Sequence, residues 1–408
     1  MKYQRFLLDS FKAALEDTPV LLLNGARQCG KNTIMHELIA ERPHIPYITL
    51  DDLSTLASVQ SDPLGFLSRF QDSVVIDEIQ RAPELFLQIK QLVDKNRKPG
   101  RFLLTGSANV LLLPKLADSL SGRMEIFTLF PLSVGEIKGQ RQGLVNILLQ
   151  GTAALITHKA GYSTSDLMEM ALRGGYPEMQ SRPSIERRAS WFQSYITTLL
   201  QKDVRDLANI EELTRLPSLL SLLAARSAGL LNLAELSRSI GIPLSSLNRY
   251  FTLLETLFLI YKVPAWSNNR SKRLIKTSKI YLNDTGLLCH LLRVNKEALE
   301  ADPHLWGRVL ETFVAGELMK QISWSAPFPK LYHYRNASGQ EVDFVLEIPN
   351  GQIVGIKVKA SSNISSSDFK GLKFLAAEEP KKFSLGIVLY AGTEVLPFGD
   401  NCYAVPLI

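Results

Sequence analysis

Six residues without a charge, Pro19 to Asn24 (PVLLLN), run straight into Gly25-Ala26-Arg27-Gln28-Cys29-Gly30-Lys31. An apolar run that stops on a glycine reads as a strand buried on both faces and feeding a loop, the pattern of a parallel sheet. The loop carries two glycines and a lysine at the spacing that lets backbone N–H groups wrap a polyphosphate while the ammonium reaches its outer phosphates. Thr33 to Arg42 reads as a helix stopped at Pro43, so its positive end would point at the same anion. A parallel sheet needs crossover connections, and strands and helices must therefore alternate beyond this point.

Asn32 stands where this pattern places a Ser or Thr hydroxyl on Mg2+, and Thr33 comes one residue later, turned about 100° by the helical period. An amide oxygen can ligate magnesium, but its longer reach displaces the ion. The expected damage is to hydrolysis more than to nucleotide binding. Ser73 to Glu78 (SVVIDE) supplies the facing half, an apolar strand ending in Asp77 for the metal and Glu78 for the attacking water. Alone, such a pair would be a strand-end turn or a helix cap; behind the upstream loop it reads as catalytic. Arg101 to Thr105 is a further strand, and Ser107 after it either sits beside the γ-phosphate as a sensor or caps a turn. Val110 to Ser121 is expected to be helical and Met124 to Leu129 a strand. Arg123, just ahead of that strand, is either an arginine finger for a neighbouring copy's nucleotide, which implies self-association, or a surface arginine.

At 408 residues the chain is long enough for two or three compact units. Its 46% hydrophobic and 21% charged content fits a folded globular protein and excludes disordered or fibrous classes. The longest weakly polar stretch, 143 to 158, is interrupted by Asn146, Gln150 and Thr152, so no membrane span is expected. The opening residues lack an export signal and place Phe6, Leu7, Phe11 and Leu15 on one helical face. Cys29, Cys289 and Cys402 have no metal-ligand spacing and suit a reducing cytoplasm, the expected location. The net charge of +6 is weak evidence for nucleic acid, but Lys262, Arg270, Lys272, Arg273, Lys276 and Lys279 gather with no carboxylate among them.

Residues 216 to 282 hold a second organised pattern. Leu219, Leu222 and Leu223, then Leu233, Leu236 and Ile240, recur at helical spacing; Gly241 breaks the second helix, and a third runs to Leu257. Strands at Phe258 to Val263 and Leu274 to Leu282 around Asn268 to Arg273 then complete a winged helix with a basic wing. In a DNA-binding version, Asn248 and Arg249 on the third helix enter the major groove, while Arg270, Lys272 and Arg273 follow phosphates. In the other version the winged helix is a lid or a platform for a protein partner.

The C-terminal part reads as a helix from Leu305 to Ile322 followed by strands, including Glu341 to Glu347 and Ile353 to Lys359. It resembles a restriction-endonuclease core, in which a strand aspartate and a Glu-x-Lys on the next strand hold metal. Asp343 and Lys359 match, but Lys357 occupies the glutamate position. Two lysines on one strand face oppose divalent metal, so Asp343 and Glu311 facing them are expected in a buried ion-pair cluster or a phosphate-binding remnant, without nuclease activity.

GARQCGKNT, VVIDEIQ, LLTGSAN, SLSGRMEIFTLFPLSVGE, LRGGYPE, YITTLLQKDVRDL, KIYLNDTGL and SGQEVDFVLE with GIKVKA occur in one order. In that order the chain resembles a prokaryotic group of AAA+ ATPases that carry a C-terminal domain of unknown function. The resemblance implies an α/β fold with a P-loop AAA+ parallel sheet over 1–135, a helical lid or linker over 136–210, a winged helix over 211–285 and a restriction-endonuclease-like α/β domain over 286–408. It also implies ATP and Mg2+ as ligands. A Gly-x-Pro triplet touches adenine in related signal-transducing ATPases, and Gly175-Tyr176-Pro177 matches it, with Pro177 either against the base or in a plain turn. Two functions remain: an ATP-binding protein, possible ATPase, whose nucleotide state controls a DNA-associated module, or a nucleotide-dependent scaffold that binds a protein partner with little hydrolysis.

Overall fold

The computed structural model describes residues 2–109, 112, 120–141, 143–156, 161–203 and 215–407. The chain divides into two compact units. The first comprises 1–132 together with the short segments 176–178 and 251–259; the second holds the remainder.

The first unit is built on five parallel strands: β1 (Val20–Asn24), β2 (Tyr47–Thr49), β3 (Val74–Asp77), β4 (Phe102–Gly106) and β5 (Met124–Thr128). Their spatial order is β2-β3-β4-β1-β5, so the phosphate-loop strand β1 lies between β4 and β5. Every residue of β1, β3 and β4 is buried, as strands covered on both faces require. Leu22, Ile76 and Leu104 share one core with Leu85, Phe86, Ile89 and Val93 of the helix Leu85–Lys95, whose apolar residues recur at helical spacing. The expected N-terminal helix is present as Leu7–Ala14, with Leu7, Leu8, Phe11 and Ala14 inward. The helix expected over Val110 to Ser121 falls on residues that are almost all outside the described ones.

The second unit begins with short helices and continues through Leu216–Ala225, Leu233–Ile240 and Leu244–Thr256, the last of which ends in the 251–259 segment. An antiparallel pair follows, β6 (Ile260–Val263) and β7 (Lys279–Leu282), with an isolated bridge from Leu230 to Lys279 beside it. Between β6 and β7 the expected open wing is instead a helix, Arg270–Ile275. Asn269 explains the difference, because its side chain accepts from Ser271 N and Lys272 N and caps a helix start.

The C-terminal part is a six-stranded mixed sheet ordered β12-β13-β11-β10-β9-β8. It contains β8 (Lys330–Arg335), β9 (Glu341–Glu347), β10 (Ile353–Lys359), β11 (Phe383–Tyr390), β12 (Leu396–Pro397) and β13 (Cys402–Pro406). The helix Pro303–Ile322 belongs to this unit, and Leu372 and Leu375 of the helix Lys370–Glu378 join the core of the sheet. The three cysteines are free and buried. Among the described residues no helix is long and apolar enough to cross a membrane.

Candidate nucleotide-binding site

The phosphate loop leaves β1 at Gly25, whose φ of 148° lies in the glycine region and where a Cβ would stand 2.2 Å from Leu129 O. Gly30, also at positive φ, turns the chain into the helix Lys31–Glu41, so Asn32 and Thr33 belong to its first turn. Lys31 is buried, and its Nζ donates to Gly25 O at 2.9 Å and Ala26 O at 3.0 Å. Those bonds hold the ammonium against the loop itself. Arg5, from the N-terminal arm, donates Nη1 to Cys29 O and Nη2 to Phe130 O, both at 2.6 Å. It is a charged clamp on the loop that nothing in the sequence pattern flagged.

Asp77 ends β3 and is buried. Its Oδ2 accepts from Asn32 Nδ2 at 3.4 Å and Thr49 Oγ1 at 3.1 Å, and its Oδ1 from the Thr105 hydroxyl. The pair read as metal-facing, Asn32 and Asp77, is therefore side by side. Thr49 and Thr105, from the ends of β2 and β4, are partners that only the sheet order brings in. Glu78 has φ 59° and ψ 45°, left-handed for a residue with a Cβ, a cost that the surrounding contacts must offset. Its Oε2 accepts from Ser107 N at 3.2 Å and from the Gln80 amide, which also donates to Ser107 Oγ at 2.9 Å. Ser107 thus bonds the Glu78 carboxylate in this arrangement.

The loop and Glu78, but not the buried Asp77 and its threonine partners, open on a cavity of about 420 Å3 that lies wholly within the first unit. Arg27 to Thr33 and Glu78 line it from the core, Lys2, Tyr3 and Arg5 from the N-terminal arm, and Pro177 with Glu178 from the short segment. Arg123 is directed elsewhere: its Nε and Nη2 meet the two carboxylate oxygens of Asp94 at 2.5 and 3.1 Å. A finger role would require it to leave that pair. The donor set suits hard-cation chemistry, since Asn32, Thr49, Thr105 and Asp77 offer only oxygen ligands beside a basic phosphate cradle.

In the second unit the six gathered cations separate. Arg273 makes a two-pronged pair with Glu347, at 2.7 and 2.8 Å, and lies 4.9 Å from the Tyr332 ring centroid and 5.2 Å from that of Trp266. It is committed inside the protein. Lys279 is buried, with Nζ 2.8 Å from Glu311, 2.6 Å from Glu341 and 3.6 Å from Asp343. Burial opposes its charge, but Glu311, Asp343 and Glu341 together raise its pKa. Lys357 adds a 2.8 Å bond to Asp343, so the expected cluster of Asp343 and Glu311 forms, centred on Lys279. Lys359 is drawn away to Asp368 at 2.6 Å. A charge in the otherwise apolar strand 279–282 was the available signal. Asn248, Arg249 and Lys272 are exposed, while of Arg270 only its place at the start of a helix is described.

Residues 17–138 match the family model described as AAA domain, 164–298 a Domain of unknown function (DUF8612), and 306–408 a Domain of unknown function (DUF4143). An uncharacterized protein of Mycobacterium tuberculosis (strain ATCC 25618 / H37Rv) is 31% identical over 396 residues, which cover 97% of this chain and 81% of the relative. One from Methanocaldococcus jannaschii is 23% identical over 412 residues, covering 95% and 86%. Among solved structures, the Thermotoga maritima RuvB Holliday junction branch migration motor covers 63% of this chain and 89% of its own at 18% identity, with a TM-score of 0.30. That overlap is too loose to transfer a residue role or a function. Near-full-length identity to the mycobacterial protein does establish kinship, and the chain belongs to that protein's family as a nucleotide-binding protein of the AAA+ class, with an AAA domain ahead of DUF8612 and DUF4143.

Proposed function

We propose that the chain binds ATP with Mg2+ in the cavity of the first unit, turns it over slowly, and uses its nucleotide state to control a DNA-associated module in the second. One observation supports the reading most: Lys31, Asn32 and Glu78 line one opening, and the buried Asp77 accepts a hydrogen bond from Asn32. The amides of residues 25 to 31 and Lys31 would hold the phosphates, Asn32 and Asp77 the metal, and Glu78 would orient the water with Ser107 beside it. The metal, when bound, neutralises charge on the outer phosphates. Pro177 lines the same cavity, and in this reading it would pack on the base. Arg123 is assigned an arginine-finger role between copies, taken up once it leaves Asp94.

For the second unit we infer a helical linker over 136–210, a winged helix over 211–285 and a nuclease-like domain over 286–408 that does not cleave. Three helices, then a strand pair with a third bridge at Leu230, support the winged-helix reading. Asn248, Arg249 and Lys272, with Arg270, remain the residues assigned to DNA. The internal pairing of Arg273 and Lys357 favours a second reading, a nucleotide-controlled scaffold for a protein partner. A fluorescent ATP analogue with Mg2+ should bind the native chain and be lost in Lys31→Ala; equal binding defeats the first claim. Asn32→Thr should raise turnover, and equal rates would refute the metal role of Asn32. Duplex DNA binding should fall with salt, by a slope that counts the few exposed cations, and weaken in Arg249→Ala, whereas a flat, weak response moves the weight to the scaffold.

A further inference from the structure

The second unit contains a cavity of about 730 Å3, whose lining residues are given no role above and which is within the size range of small-molecule sites. Its walls come from the helices Thr164–Arg173, Ile185–Thr198, Leu216–Ala225, Thr285–Leu292 and Lys296–Ala301. The lining is mixed: Leu172, Phe192, Ile196 and Pro217 are apolar, and Arg188, Arg293 and Lys296 are basic, with Arg188 on the same helix face as Phe192 and Ile196, and Arg293 exposed. We propose that this cavity binds a small amphiphilic anion, a carboxylate or phosphate group on an apolar body.

The charges argue for an anion. Lys296 is satisfied by Ser165 Oγ at 2.7 Å and Glu169 at 3.4 Å. Arg188 and Arg293 make no side-chain hydrogen bond or ion pair with any described residue. Burial and then Arg173 lower the pKa of Arg188, and Glu169 and Glu186 only partly oppose them. A cation that is partly desolvated and faced by a like charge gains from a bound anion. Glu297 also lines the cavity, leaving room for one net negative group rather than a polyphosphate. The apolar body has its own platform, because the Phe192 ring stacks on His290 at 5.6 Å. His290 offers a neutral imidazole there, its pKa pushed down by burial and then by Arg293. The Cys289 thiol in the lining is pushed up to about 12 by burial, so it is no nucleophile at neutral pH and the cavity binds rather than reacts.

Calorimetry on the full chain with decanoate, decyl phosphate and decanol tests the proposal. Both anions should bind about tenfold or more tightly than the alcohol, and Arg188→Met should remove about tenfold of the anion affinity while leaving decanol unchanged. Phe192→Ala should weaken all three ligands. Lys31→Ala should alter none of them, which separates this site from the nucleotide cavity. Decanol binding as tightly as decanoate, or full anion affinity in an Arg188→Met/Arg293→Met double variant, overturns the proposal. So does absence of heat with both anions, or a glutamate-rich peptide binding in preference to them.

Discussion

Replacing Lys279 with methionine keeps most of the side-chain volume and removes the ammonium at the centre of the cluster. The side chain is 3% exposed and has Glu311, Glu341 and Asp343 within 3.6 Å. The full Coulomb energy of such contacts at low dielectric is not the relevant figure, because charging a buried site costs nearly as much as pairing recovers. What matters is the residual charge after one partner goes, commonly about 3–5 kcal/mol for a buried pair. Here Asp343 retains Lys357 at 2.8 Å and Val358 N at 2.8 Å, and Glu311 retains the Tyr281 hydroxyl at 2.8 Å. Glu341 is partly exposed, so the lower end applies, about 3 kcal/mol. All four tryptophans, Trp191, Trp266, Trp306 and Trp324, belong to the second unit, so urea unfolding followed by their fluorescence reports on the unit that contains the cluster. Adding Glu311→Gln to Lys279→Met should recover about 1 kcal/mol or more, since it deletes one of the stranded charges. A loss under about 1 kcal/mol, or strict additivity in the double variant, would refute the account.

Arg5→Ala removes two 2.6 Å bonds, one to Cys29 O in the loop and one to Phe130 O beyond β5, and should weaken ATP-analogue binding about tenfold, measured by titration; unchanged affinity would show that Arg5 does not support the loop. His333 is pushed down to about 4, chiefly by burial, while its unfolded value is near 6.5. The unfolded chain therefore binds the extra proton first, and this residue's share of stability should fall by up to about 3 kcal/mol as pH drops through that window. Glu311 is shifted up by burial and then Asp343 and works in the opposite sense, so the difference between the native chain and His333→Phe isolates the effect. If the two midpoints run parallel from pH 7 to pH 4.5, His333 is not the cause. Arg273→Ala should destabilise the second unit by about 2 kcal/mol through loss of its two-pronged pair and aromatic contacts, and a stable variant with weakened DNA binding would return Arg273 to the nucleic-acid face.

Sheet and phosphate loop were legible because each central strand is a short apolar run that ends next to a candidate site residue: Asn24 before Gly25, Asp77 before Glu78, Gly106 before Ser107. Burial on both faces writes itself into the composition of such strands. Partners set by strand order do not. Thr49 and Thr105 reach Asp77 because β2 and β4 flank β3, and no local spacing encodes that. Arg5 sits ahead of an amphipathic helix, a position where arginine is ordinary. The helix at 270–275 could have been read, since Asn269 is a good cap and Arg-Ser-Lys-Arg-Leu-Ile contains no breaker.

Unbalanced cations in a sequence need not be unbalanced in space. Lys279 faces three carboxylates contributed from 311, 341 and 343, and Arg273 is matched by Glu347, all far along the chain from the basic run. Their counter-charges lie on β9 and on the helix Pro303–Ile322, so the local excess between 262 and 282 overstates what a polyanion would meet. Two of its six cations hold the strand pair and the intervening helix to the C-terminal sheet, a structural use of charge that needs no external ligand. Any DNA contact must then rest on the exposed Arg249 and Lys272 more than on a continuous basic ridge. Fewer phosphate contacts mean a shallower salt dependence, because each neutralised phosphate contributes close to one unit of slope. The slope therefore counts the cations left for DNA, and Arg249→Ala should lower it by about one if that residue touches a phosphate.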